Sequence, residues 1–192
     1  MPDLLHAERA KYEDAWALPA YAAHAPGERY LPIFLSMVNA EPRARVLDAG
    51  CGSGKGAAAL LAAGFDVEMC DFTADGIVPE ARGISMFETC LWDEFPRFYR
   101  ECPYDYVYCT DVLEHVPQQL TMLVVARLLA VARCGLFLTV STTPDQFGVW
   151  VGKQLHETVQ PFTWWRDSLA AVGVVDEARD LLNAAAFLVR RK

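Results

Sequence analysis

A chain of 192 residues, 53% hydrophobic and 22% charged, is of a size to bury the core of one compact domain and leaves little for a second. Its formal net charge of −8 works against a phosphate backbone, because nucleic-acid binding relies on Lys and Arg to neutralise phosphates; Arg190-Arg191-Lys192 is the one basic run and reads as a solvated end. The apolar stretch 120–138 is broken by Arg127, Arg133 and Gly135, which argues against a membrane span, and the first six residues lack the basic-then-apolar layout of a signal peptide, which points to the cytoplasm.

Residues 1–44 precede the regular pattern and read as helical, with aromatics at Tyr12, Trp16, Tyr21 and Tyr30. They form either a helix face packed on a sheet or, with the Pro26-Gly27-Glu28 turn, a lid. From Arg45 onward apolar runs alternate with helical stretches, the pattern of a doubly wound α/β sheet. Strands are expected at 45–48, 65–71, 84–90 and 104–111. Helices are expected at 56–63, stopped by Gly64, and at 118–132, leading to a fifth strand at 135–141. Residues 142–160 read as a loop, 163–172 as a helix, and 174–177 and 186–190 as two last strands. Their connection is short for a right-handed parallel crossover, so an antiparallel edge pair fits better. Six cysteines, at 51, 70, 90, 102, 109 and 134, contain no C-x-x-C pair and read as free thiols in a reducing compartment.

The turn after the first strand carries glycines at 50, 52, 54 and 56. Residues without Cβ allow backbone N–H groups to approach a ligand closely. A nucleoside-triphosphate loop would need glycine at 49 and Ser or Thr at 56, where this chain has Ala49 and Gly56. A dinucleotide fingerprint can be threaded through Gly52, Gly54 and Ala57, which leaves a nicotinamide-dependent oxidoreductase as the alternative. Asp48, two residues before the first glycine, suits a cationic ligand better than a pyrophosphate.

Val46-Leu-Asp-Ala-Gly-Cys-Gly-Ser-Gly54 resembles motif I of the class I S-adenosylmethionine (SAM) dependent methyltransferases at every defined position of that pattern. The resemblance is strong over 45–142 and implies SAM as cofactor. It also implies a Rossmann-like, mostly parallel seven-stranded sheet in three α/β/α layers, with the antiparallel pair at its edge. Gly50, Cys51 and Gly52 would line the methionine portion, and Asp48 would orient the loop and reach toward the amino group. Asp71, 17 residues after Gly54, would hold the ribose hydroxyls, with Asp66 and Asp75 as rivals and Phe72 beside the adenine. Thr89-Cys-Leu-Trp-Asp93 resembles the adenine-binding segment. There Asp93 would accept from the adenine amino group between Leu91 and Trp92, although Trp92 also reads as a core residue. Tyr104-Asp-Tyr-Val-Tyr-Cys-Thr-Asp-Val-Leu-Glu-His-Val-Pro117 resembles the motif after the fourth strand in the small-molecule branch. It would bring Asp111, Val112 and His115 to the cofactor at the sheet's carboxyl edge. Tyr21 would close the lid over the cofactor, where cation–π attraction favours a ring beside a sulfonium.

Two histidines are candidates for catalysis, His115 on the turn after the fourth strand and His156 in the 143–166 insertion; His115 also reads as a helix cap. The segment from Gly152 to Trp165 has a weaker resemblance to methyltransferases of bacterial surface-polysaccharide clusters. It would roof the substrate pocket, with His156, Trp164, Trp165 and Arg166 against a small-molecule or glycan acceptor, although the tryptophan pair also reads as half core. The expectation is therefore one domain over 1–192: a helical lid (1–44), a cofactor core (45–142) and the insertion. It transfers a methyl to oxygen by in-line displacement, with no metal, since Asp71 and Asp93 form no ligand cluster with a histidine. A catalytically silent SAM-binding scaffold, or a protein or RNA methyltransferase, would share the cofactor residues.

Overall fold

Five parallel strands make up most of the sheet, and the three in the middle of the sheet are mostly buried because helices cover both faces. The computed structural model describes residues 2–18, 21, 27–92, 104–150 and 152–192. In chain order these give α1 (Pro2–Trp16), a 3₁₀ turn (Gly27–Tyr30) leading into α2 (Leu31–Met37), β1 (Arg45–Ala49), α3 (Lys55–Ala62), β2 (Asp66–Asp71) and β3 (Ser85–Glu88). There follow β4 (Tyr104–Thr110), α4 (Gln118–Val131), β5 (Ala132–Ser141), α5 (Phe162–Val172), β6 (Val174–Asp180) and β7 (Ala184–Arg190). The seven-stranded sheet has the order β3-β2-β1-β4-β5-β7-β6, with β7 antiparallel to both its neighbours. This is the mostly parallel, edge-paired α/β sheet that the sequence predicts.

Alternation along the strands divides the core into two layers. Leu47, Val107, Cys109, Leu136 and Leu138 face α4 and α5, where Val124, Leu128, Trp165 and Leu169 are buried. Val46, Tyr106, Tyr108 and Phe137 face α2 and α3, where Phe34, Ala57 and Leu60 are buried. Phe34 is the hub of the second layer, its ring 5.3–5.8 Å from those of Phe65, Tyr106, Tyr108 and Phe137.

The strand ends differ from the sequence reading for local reasons. The third strand is expected over 84–90 but pairs only over Ser85–Glu88. Ile84 N–H is taken by Ala81 in a 3₁₀ turn, and one last bond, Thr89 N–H to Asp71 O, precedes the turn at Leu91. β5 starts at Ala132, directly after α4, because Ala132 pairs with Tyr104 across a register shift. The last two strands are longer than expected because each pairs with β7 or is β7 itself, through a hairpin turning at Leu182 (φ 72°). The insertion predicted over 143–166 ends at Pro161, the N-cap of α5. No helix among the described residues is long and apolar enough to cross a membrane.

Candidate active site

The direction of strand order reverses between β1 and β4, and a crevice opens there at the carboxyl ends, as doubly wound sheets require. It holds a cavity of about 520 Å³. One wall is the glycine turn between β1 and α3. Gly50, Gly52 and Gly54 have φ of 75°, 53° and 76°, a region that side chains disfavour. The close approach matters as much as the dihedral. A Cβ on Gly50 would lie 2.4 Å from Val112 Cγ2, and one on Gly52 would lie 2.8 Å from the ring of Trp16. The turn is tied to the end of β2: Gly50 and Cys51 N–H both donate to Cys70 O, and Gly52 N–H donates to Asp71 Oδ2 at 2.7 Å.

Asp71 accepts a second amide bond, from Phe72 N–H to Oδ1 at 2.6 Å, and the Thr73 amide also favours its charged form. Burial raises its carboxyl to about 6 against these amide bonds, which favour the charged form. Asp48 is buried deeper, at 2% exposure, and its Oδ2 has no hydrogen-bond partner among the described residues. Burial first, then the charge of Asp71, lifts it to about 7. An unpartnered carboxylate oxygen beside the glycine turn fits a ligand with a cationic amino group.

The facing wall comes from α1 and the turn after β4. Trp16 lies across Gly52 and Gly76, with Tyr21 edge-on to it at 5.0 Å. Tyr12 stacks on Phe72 (6.1 Å, 18°) and meets His115 edge-on at 5.8 Å, while Phe72 meets Trp92 at 5.1 Å. Tyr12, Trp16 and Tyr21 all line the cavity. Asp111, at the end of β4, has φ 52°; it is fixed there by its N–H to Thr139 O and by Thr139 Oγ1 to its Oδ1 at 3.1 Å.

His115 and His156 meet in this crevice with ring centroids 4.8 Å apart. His115 Nδ1 is 3.0 Å from Leu155 O and His156 Nδ1 is 2.9 Å from Thr143 O. A carbonyl only accepts, so each Nδ1 carries the proton and, in the neutral ring, Nε2 carries the lone pair. Burial, and then the charge of His156, push the pKa of His115 down to about 3, so it is neutral near pH 7. Glu114, between them and fully buried, accepts Ser141 N–H on Oε1.

Tyr21, Asp48, Gly50, Cys51, Gly52, Asp71, Phe72, Leu91, Trp92, Asp111, Val112, His115 and His156 all lie on the wall of this one cavity. Asp93 lies outside the described residues. Trp164, Trp165 and Arg166 are a correction: they do not reach the cavity. The helical face of α5 turns Trp165 and Leu169 into the core at 0% exposure, and Trp164 sits edge-on to Trp165. Arg166 is exposed and pairs with Asp167. Glu114, His115 and His156 place ligand-type atoms within 4.8 Å of one another, a grouping that does not involve Asp71. Arg29 and Tyr12 were missed as cavity residues; nothing in the sequence marks Arg29, whereas Tyr12 could have been found from its four-residue spacing to Trp16 on one helix face.

A Rossmann-like sheet with a glycine turn, an acidic residue ending β2 and a covered crevice at the switch point defines a class I methyltransferase fold. The family of methyltransferase domains matches residues 21–183, and the chain belongs to it. Among solved structures, magnesium protoporphyrin IX methyltransferase from Synechocystis PCC 6803 with bound SAH is similar, at 20% identity and TM-score 0.62, over 93% of this chain and 86% of that one. An O-methyltransferase family protein from Burkholderia thailandensis is similar at 16% identity and TM-score 0.64, over 92% of this chain and 61% of that one. A Rhodobacter sphaeroides protein described as a Zn-dependent alcohol dehydrogenase is similar at 15% identity and TM-score 0.72, over 96% and 98%. At such identities the likeness shows the fold alone. The family match therefore decides for a SAM-dependent methyltransferase over the oxidoreductase alternative. A comparison with curated proteins finds no match.

Proposed function

We propose that this methyltransferase uses SAM to methylate an oxygen of a small-molecule or glycan acceptor. The observation that carries the reading is the pairing of His115 and His156, two half-buried imidazoles each held through Nδ1 by a main-chain carbonyl, in the same cavity as the glycine turn and Asp71. When bound, SAM supplies an electrophilic methyl on a sulfonium, and the protein contributes alignment and exclusion of water. Asp71 accepts hydrogen bonds from the ribose hydroxyls. Asp48 offers its free oxygen to the cationic amino group, and Phe72, Leu91 and Trp92 flank the adenine. Trp16 and Tyr12 keep solvent from the crevice. His115 and His156 line the part of the cavity where the acceptor hydroxyl is oriented and loses its proton. The net charge of −8 supports a substrate that is not a nucleic acid. Cys51, Cys70 and Cys109, buried as free thiols, support a cytoplasmic location.

Radiolabelled methyl transfer to a panel of hydroxylated small molecules and sugars tests the reading. His156→Ala should lower turnover while calorimetric affinity for S-adenosylhomocysteine (SAH) is unchanged. Tight SAH binding with no transfer to any hydroxyl would instead support a silent SAM-binding domain.

A further inference from the structure

Glu114, His115 and His156 come from two segments, the turn after β4 and the loop before α5. Their ligand-type atoms converge within 4.8 Å. The Glu114 side chain has no exposed surface, and its Oε2 accepts no hydrogen bond among the described residues while Oε1 takes Ser141 N–H at 2.8 Å. As the anion, a buried carboxylate with an unpaired oxygen is expensive unless a cation meets it. The nearby ammonium of Lys11 is committed elsewhere, to Glu8 at 2.6 Å and Glu157 at 3.4 Å.

Independently of Glu114, each histidine donates Nδ1–H to a main-chain carbonyl and so keeps Nε2 as its basic atom. That arrangement fixes tautomer and ring orientation, as the outer partners of metal-ligating histidines do. The frame is rigid too: Glu114 O accepts Glu157 N–H at 2.7 Å and Thr158 N–H at 2.8 Å, locking the His156 segment to the β4 turn.

We propose that Glu114, His115 and His156 bind one first-row divalent cation of the zinc type, with a coordination position left open to the cavity. Two imidazoles and one carboxylate suit such an ion, whereas magnesium and calcium demand more oxygens. All three ligands line the cavity, so the open position faces the acceptor side. The ion's role, though not its binding, rests on the methyl-transfer reading above. An acceptor hydroxyl that ligates the ion releases its proton to solvent. Its oxygen then forms the new C–O bond as the S–CH₃ bond breaks, giving a methyl ether and a thioether.

The test uses the untagged chain after chelator treatment, with Zn²⁺ followed by calorimetry and Co²⁺ by visible absorption. One equivalent per chain is expected, with the intense bands of low-coordinate Co²⁺. Glu114→Gln and His156→Gln should each weaken Zn²⁺ binding by about tenfold or more. Cys134→Ser, which removes the exposed thiol, should leave it unchanged. Urea unfolding confirms that each variant is folded, and His156→Gln at a half-buried position serves where Glu114→Gln does not fold. No stoichiometric Zn²⁺ binding, or folded variants that bind like the wild type, overturns the inference. A chain that binds SAH and transfers methyl without Zn²⁺ binding loses the ion and keeps the methyltransferase reading. One that binds Zn²⁺ through these residues but neither binds SAH nor transfers methyl loses the proposed function and keeps the ion.

Discussion

Asp48→Asn separates what the fold tolerates from what the ligand needs. Asp48 is 2% exposed with Oδ2 unpartnered, and burial first, then the charge of Asp71, raise it from the ordinary 3.8 to about 7. An acid raised in the folded state holds its proton more tightly there than in the unfolded chain. Stability is therefore lost as pH rises from about 4 to about 7, and the loss is complete above that. The gap corresponds to about 4 kcal/mol, of which about 2.5 kcal/mol falls between about pH 5 and pH 8. Asparagine keeps the shape and removes the titration. Any cost of burying its amide is the same at both pH values and cancels in the comparison. Urea unfolding of both chains should show the variant gaining about 2.5 kcal/mol relative to wild type from about pH 5 to pH 8. A difference that does not change with pH refutes the reasoning. At the higher pH the same variant should bind SAH less tightly, because it has no charge to offer the amino group. Greater stability with weaker binding is the signature of a strained functional carboxylate.

Asp71→Ala removes the acceptor for Gly52 and Phe72 N–H as well as the proposed ribose contact, and should weaken SAH binding by about 1–3 kcal/mol. Unchanged affinity by calorimetry would remove Asp71 from the site. Trp165→Ala empties a fully buried position between α5 and the sheet. It should cost about 3–5 kcal/mol in urea unfolding while leaving SAH affinity intact. A large loss of methyl transfer at full stability would return this residue to the substrate side.

The strand-turn-helix at 45–62 was legible because each signal is local: apolar alternation gives β1, the glycines give the turn, and alanines give α3. Asp48, Asp71 and Asp111 could be placed because a parallel sheet brings successive strand ends to one edge, so position in the strand fixes position in the site. Outside the sheet, sequence distance ceases to predict spatial distance. Nothing local says that Leu155 O and Thr143 O would orient two histidines separated by 41 positions in sequence, His115 and His156, or that Glu114 would be buried between them. The tryptophan pair failed in the opposite direction. An aromatic pair reads the same on a carbohydrate platform and on a helix core face, and only the register of α5, with Leu169 four residues after Trp165, decides.

The charge of the crevice accounts for more than any one residue in it. Asp48, Asp71, Asp111, Glu114 and Asp145 line the cavity, and Arg29 is the one Arg or Lys among its described residues. Burial raises the first four carboxyls, so each is held at a cost to the folded chain. Such a site is relieved by positive charge, and the sulfonium and ammonium of SAM, with the divalent ion at Glu114, supply it. Binding and stability are then linked: ligand at 100 times its Kd adds about 2.7 kcal/mol to the folded state. The neutral thioether of the product leaves one positive charge fewer against the same carboxylates, so SAM should bind more tightly than SAH near pH 8. The preference should shrink as pH falls toward about 5 and Asp48 and Asp71 take up protons. Paired calorimetric titrations at the two pH values measure it, and an SAM-to-SAH affinity ratio independent of pH would sever the link between these carboxylates and the sulfonium.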